Sequence, residues 1–147
     1  MNQVPVRIKK LRSNAVVPTY GTPFSAGADM YACLDEPLTI APGETKMVHM
    51  GVAIELPEGY VGLLYGRRGL ATKRGLAPAN KVGVIDSDYR GEIRVVLLNH
   101  GKVPQTVENG ERVAQFLITP VLTPAYEEVE ELTDTNRGTG GFGSTGA

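Results

Sequence analysis

The chain has 147 residues, 41% of them hydrophobic, 21% charged and 6% aromatic, with no Trp and a formal charge of −1. That size suits one domain, and 18 glycines with 10 prolines are too many punctuators for a helix bundle. A near-neutral charge argues against a dedicated nucleic-acid binder, and one cysteine (Cys33) with two distant histidines (His49, His100) leaves no disulfide framework or zinc cluster.

In chain order, residues 4–10 (VPVRIKK) alternate apolar and basic residues and predict a first strand. No apolar stretch there suits a signal peptide, and no window approaches the ~20 apolar residues of a membrane span. With a lone cysteine, the expectation is a cytoplasmic protein that engages no membrane. In residues 25–32 (SAGADMYA), Asp29 is an acid among small and apolar residues leading into a strand. Its charge needs a partner, for which hydrated Mg²⁺ and a nearby arginine are equally suitable.

Residues 45–56 predict a long strand ending at the turn Pro57-Glu58-Gly59, and residues 60–65 (YVGLLY) a short buried one. Gly69 and Gly75 confine the one plausible helix to a turn or two around residues 70–75. Residues 82–91 (VGVIDSDYRG) read as a β-hairpin: an apolar lead-in, a polar turn and a Gly stop. Asp86 directly follows Val84 and Ile85 at the edge of an apolar environment, where a carboxylate can act as general base toward water or simply cap the turn. The clearest strands are residues 91–99 and 112–119, bounded by Asn99-His100-Gly101 and Pro120. No alternation of strands with long helices occurs, so two packed antiparallel sheets, a jelly roll or barrel, are expected.

Seven basic residues (Arg67, Arg68, Lys73, Arg74, Lys81, Arg90, Arg94) face three acids (Asp86, Asp88, Glu92) between Arg67 and Arg94. This local excess suits a polyanion such as a polyphosphate, or equally a solvated face. The acidic run 127–131 reads as a solvated strand edge. Residues 137–147 (RGTGGFGSTGA) are too glycine-rich to pack a core. Their formal G-x-G-x-x-G match lacks the following helix of a dinucleotide fold. An idle tail is one reading. In the other, backbone N–H groups, Arg137 and Ser144 cradle phosphate while Phe142 stacks on a planar ring.

Taken together, residues 26–32 (AGADMYA), 67–76 (RRGLATKRGL), Asn80 with 83–92 (GVIDSDYRGE), 110–115 (GERVAQ) and 137–145 (RGTGGFGST) resemble the five ordered motifs of the homotrimeric dUTPases. The resemblance covers nearly the whole chain. It implies an all-β, jelly-roll-like domain over residues 1–136 with one short helix, and a flexible closing arm over residues 137–147. It further implies a homotrimer with shared active sites that hydrolyses dUTP to dUMP and pyrophosphate with Mg²⁺, keeping uracil out of DNA and supplying dUMP for thymidylate synthesis. By position, Asp86 would activate the attacking water and Tyr89 would pack on the deoxyribose. Asn80, Gly83, Val84, Ile85 and Arg94 would read uracil. Arg67, Arg68, Gly69 and Gln115 would hold phosphates, and Asp29 would bind the metal through water. Arg137, Phe142, Gly143 and Ser144 would close over the nucleotide. The chain departs from the pattern at Arg68, usually Ser, and at Gly66, usually Pro or Ala. Arg68 therefore points to slowed turnover, and its extreme is a dUTP-binding regulator. A deaminase of the related dCTP-converting kind is the remaining alternative.

Overall fold

The computed structural model describes residues 2–144 and residue 146. Ten strands and one helix follow in order: β1 Arg7–Lys10, β2 Ala28–Tyr31, β3 Leu38–Ile40, β4 Thr45–Glu55, β5 Tyr60–Tyr65, α1 Arg68–Arg74, β6 Leu76–Pro78, β7 Val82–Ile85, β8 Glu92–Asn99, β9 Gln105–Val107 and β10 Arg112–Pro120. One sheet has the order β1-β4-β8-β6, a second β2-β10-β5-β7, and β3 pairs with β9 separately. Every named pairing is antiparallel. The protein is therefore mostly β-sheet with one short helix, as the sequence led us to expect.

Side-chain alternation explains which faces meet. Along β8, Ile93, Val95, Leu97 and Asn99 are buried while Arg94 points outward. Ile93, Val95 and Leu97 pack in one core with Met30, Val48, Val52, Leu64, Val113 and Phe116. Gly62 in β5 lies under the Phe116 ring, where an added Cβ would come within 2.6 Å of Cζ. In β4 the register shifts between His49 and Ala53. Gly51 occupies the irregularity with φ +70°, and its N–H donates to the Glu92 carboxylate at 2.9 Å.

Three expectations change. The first strand begins at Arg7 rather than Val4, because its partner β4 ends at Glu55, opposite Arg7, before the Pro57 turn. The acidic run 127–131 is exposed but belongs to no strand, since β10 is the last strand and ends at Pro120. Most importantly, residues 82–91 are not a hairpin. β7 pairs with β5 in one sheet, whereas β8 pairs with β4 and β6 in the other. The intervening turn is a corner joining the two sheets, and its strands follow separate partners.

Among the described residues, Asn99 is the one polar side chain fully buried in the core. Its Nδ2 donates to the Ile40 and Val103 carbonyls (2.9 and 2.8 Å), and its Oδ1 accepts from the Gly101 N–H at 2.9 Å. It thus ties β3, the end of β8 and the following turn. Asn99→Ala should cost about 2–4 kcal/mol, because a buried N–H and two carbonyls lose their partners together. Urea unfolding of the variant and parent would measure this, and a loss below ~0.5 kcal/mol would contradict it.

Candidate active site

Residues 77–83 form a strap that contributes to the lining of two clefts. The first, about 520 Å³, is lined by Leu64, Ala79, Asn80, Gly83, Val84, Ile85, Arg94, Val95 and Val96. All five residues expected to read a base are in this lining. The surface is largely apolar, with an amide, strand-edge backbone groups and one guanidinium. Gly83 is closely packed, since a Cβ there would come 3.2 Å from Leu64 Cβ.

Asp86 follows Ile85 at the end of β7, on the rim of this cleft rather than in its lining. It is exposed, and its side chain makes no hydrogen bond or ion pair among the described residues. Its backbone carbonyl accepts the Tyr89 N–H at 3.1 Å. Tyr89 Oη in turn donates to the Glu92 carbonyl at 2.9 Å, closing the corner. The Tyr89 ring covers Gly91 so closely that a Cβ there would lie 2.4 Å from Oη, which accounts for that glycine. The Glu92 carboxylate meets His49 Nδ1 at 2.6 Å. The turn is thus braced by backbone and neighbouring groups, and the Asp86 carboxylate is left free.

The second cleft, about 320 Å³, is lined by Gly66, Arg67, Arg68, Ala71, Ala77, Pro78, Lys81 and Gln115. Three cations and no carboxylate face it. Arg68 is exposed and opens α1, while Gly69 follows in the same turn and does not contribute to the lining. The helix stops at Gly75, a left-handed cap whose N–H donates to the Leu70 carbonyl. Arg74 anchors the helix end through Gln105 Oε1 (3.1 Å) and Glu111 Oε2 (2.8 Å). Gly66 has a local reason: a Cβ there would lie 2.8 Å from Pro78 Cδ, so the proline of β6 excludes a larger residue.

Asp29 sits in β2, opposite Gln115 of the central strand β10, and Gln115 is also opposite Tyr65 of β5. Arginines meet the Asp29 charge from two sides. Arg67 Nε donates to Oδ1 at 2.9 Å, and Arg112 approaches Oδ2 at 3.5 Å. Gln115 Nε2 donates to the Gly66 carbonyl at 2.9 Å, which leaves its Oε1 for another ligand. A Cβ on Gly27 would lie 2.7 Å from that oxygen, so the motif glycine makes room for the amide. Arg112 and Gly27 escaped the sequence reading, although Gly27 lies within the quoted motif and Arg112 two residues after Gly110.

These groups can be tested for a metal. Among the described residues no three His, Cys, Asp or Glu side chains converge, so a protein-built cage does not fit. A hydrated ion held mainly by phosphate oxygens does fit. A carboxylate has about four acceptor positions. Asp29 uses two of them and keeps 18% of its side-chain surface exposed.

The remaining expected residues are not brought to either cleft. Arg137 Nε turns back to the Gly140 carbonyl at 2.7 Å, Phe142 is fully exposed, and Gly143 and Ser144 lie in the same exposed turn.

With this geometry in place, similarity to known proteins becomes informative. A family model described as dUTPase matches residues 13–146. The chain belongs to the dUTPase family. A deoxyuridine 5'-triphosphate nucleotidohydrolase from Maricaulis maris is 47% identical, covering 99% of each chain. One from Desulfitobacterium hafniense is 48% identical with the same coverage. Among solved structures, the dUTPase of Staphylococcus bacteriophage 80alpha with dUPNHPP has a TM-score of 0.90 at 29% identity, covering 99% of this chain and all of its own. A mutant dUTPase of phage phi11 of S. aureus, described as showing the coordination of a structural Mg(II) ion, has a TM-score of 0.79 at 26% identity. It covers 87% of this chain and 98% of its own. The first cleft thus gathers the positions expected to read uracil, and the second gathers Arg67, Arg68 and Gln115, expected to hold phosphate. No helix among the described residues is long and apolar enough to cross a membrane.

Proposed function

We propose that this chain hydrolyses dUTP to dUMP and pyrophosphate as a homotrimer whose active sites combine residues of different subunits. The observation that carries this is the division of the site. One cleft is apolar and offers amide and backbone hydrogen-bonding groups; the other is cationic and free of acids; and the carboxylate at Asp86 stands on the rim of the first. A nucleoside triphosphate has the same two halves. The names of the bacterial relatives and the dUPNHPP in the phage 80alpha structure support the choice of dUTP.

In this reading Asn80, Gly83, Val84, Ile85 and Arg94 select the base, and Tyr89 packs against the sugar. Arg67, Arg68, Gly69 and Gln115 hold phosphates. Asp86 accepts a proton from water as its oxygen bonds to the α-phosphorus, and the bond from that phosphorus to the bridging oxygen breaks to release pyrophosphate. Asp29, held by Arg67, would face the waters of a Mg²⁺ carried on the triphosphate, and that ion would supply neutralising charge. Little covalent work is left to the protein, so alignment and charge carry catalysis. The direct test is pyrophosphate release measured with dUTP, dCTP, dTTP and UTP. Release from dUTP alone supports the reading, ammonia release from dCTP establishes a deaminase, and dUTP binding without turnover establishes a regulator.

Arg68 bears on the rate. A guanidinium strengthens ground-state attraction for phosphate, but it cannot occupy the place of a small hydroxyl aligned with the transition state. Loss of one such donor costs about 10²–10³ in turnover. Arg68→Ser should therefore raise kcat at saturating dUTP and Mg²⁺. An unchanged or lower kcat refutes this role.

A further inference from the structure

Lys81 lies beyond the residues so far given a role. It is the only residue besides Phe142, glycines aside, with a positive φ among the described residues, at +70°. Its neighbours explain how that angle arises. The Lys81 N–H donates to the Pro78 carbonyl at 3.1 Å, and the Val82 N–H donates to the Asn80 carbonyl at 2.8 Å. The second bond closes a three-residue turn centred on Lys81, and a γ-turn with positive φ at its centre is the rare, strained kind. Glycine, without a Cβ, would fill this position with the least strain.

The turn has a directional consequence. Asn80 lines the apolar cleft and Lys81, the next residue, lines the cationic one. The strained turn thus aims consecutive side chains into different clefts. Within the cationic cleft, Arg67 has its charge offset by Asp29, whereas neither Lys81 nor Arg68 pairs with a carboxylate among the described residues. Two uncompensated cations therefore share a cleft that has no acid in its lining. Strain retained at a position that aims a cation into a cleft points to ligand binding rather than to folding.

We propose that Lys81 is a phosphate-binding residue that, with Arg68, sets the preference of this cleft for longer, more highly charged polyphosphate chains. The inference rests on the cationic cleft being the phosphate side of the nucleotide site. An ammonium on a flexible stem acts as a movable point charge, suited to a terminal phosphate, and complements the fixed fork of Arg67.

Removing the cation and relieving the strain have opposite signs, and this makes the test decisive. Titration calorimetry with inorganic tripolyphosphate, pyrophosphate and dUMP would compare the parent, Lys81→Gly, Lys81→Asn and Lys81→Arg, alongside their melting temperatures. Lys81→Gly should melt at the same or higher temperature yet bind tripolyphosphate roughly tenfold more weakly, with a shallower dependence on salt. Pyrophosphate should weaken less and dUMP least. Lys81→Asn, which keeps a polar side chain but no charge, should lose affinity to a similar extent, and Lys81→Arg should retain most of the affinity. Unchanged tripolyphosphate affinity in Lys81→Gly and Lys81→Asn overturns the proposal while leaving the dUTPase reading intact. So does equal weakening for dUMP and tripolyphosphate, which would place the effect in the strap. If the parent itself binds no tripolyphosphate, the phosphate reading of the cleft fails as well.

Discussion

Asp86→Asn is expected to leave the fold and dUTP binding nearly unchanged while removing most turnover. The substitution is close to isosteric, and the side chain is exposed without a bonded partner, so nothing in the packing depends on it. The turn that presents it is held by the Asp86 carbonyl, the Tyr89 N–H and hydroxyl, and the Glu92 carbonyl, all of which the variant keeps. What changes is basicity: a carboxamide cannot take the proton of the attacking water. General-base catalysis contributes about 10²–10⁴-fold, equivalent to roughly 2.7–5.5 kcal/mol of barrier. The measurement is single-turnover pyrophosphate release at saturating dUTP, with calorimetric titration of a non-hydrolysable analogue to show that binding persists. Parental turnover would exclude Asp86 as the base. Equal losses in binding and turnover would make it a positioning residue instead.

The corner at Asp86 also shows what was and was not legible in the sequence. Its placement was readable, because an acid directly after Val84 and Ile85 stands at the edge of an apolar environment, and the fold leaves it exposed beside the first cleft. Its architecture was not. Residues 82–91 have the local pattern of a hairpin, but a pattern of period two says nothing about which strand lies alongside. β7 found its partner in β5, and β8 found partners in β4 and β6, through long-range packing. The three-residue strands β3, β6 and β9 were invisible for a simpler reason: they are too short to display any period. Long strands such as β4, β5 and β10 could be read almost to the residue. Asn99 looked like part of a turn, and only the fold reveals that its amide is buried and bonded three ways.

Charge was legible in amount but not in allocation. The excess of basic residues between Arg67 and Arg94 was evident, and so was the need of Asp29 for a partner. The fold joins these two observations, since Arg67 spends its charge on Asp29 across the sheet. The cations facing the second cleft without such a partner are Arg68 and Lys81. One departs from the family pattern and the other sits on a strained backbone. In the proposed reading, the attraction of this cleft for anions would depend on Lys81, which lies outside the quoted motifs, as well as on the motif positions.

Removing residues 137–147 is expected to leave a folded protein with very low turnover. No described residue of this segment is buried, and the hydrogen bonds of its described residues stay within residues 135–146, so they give the core no support that truncation would remove. Its sequence nevertheless has a form that an idle tail does not need. Phe142 exposes a full aromatic ring to solvent, at a positive φ of 48°, next to Gly143 at +88°. Arg137 meanwhile satisfies itself on the Gly140 carbonyl, a weak exposed bond that a phosphate could readily replace. On a bound nucleotide the ring gains stacking worth about 1–3 kcal/mol, and the guanidinium gains a charge-assisted contact. Together they would order the glycine-rich chain over the site and exclude bulk water during the reaction. Phe142→Ala should then reproduce part of the loss, within the same 1–3 kcal/mol range of stacking. Melting temperature and sedimentation of the truncated chain test its structural side, and kcat/KM for dUTP tests its catalytic side. A truncated protein that fails to fold or assemble makes the arm structural, and one with full activity makes it idle; either result excludes the closing role.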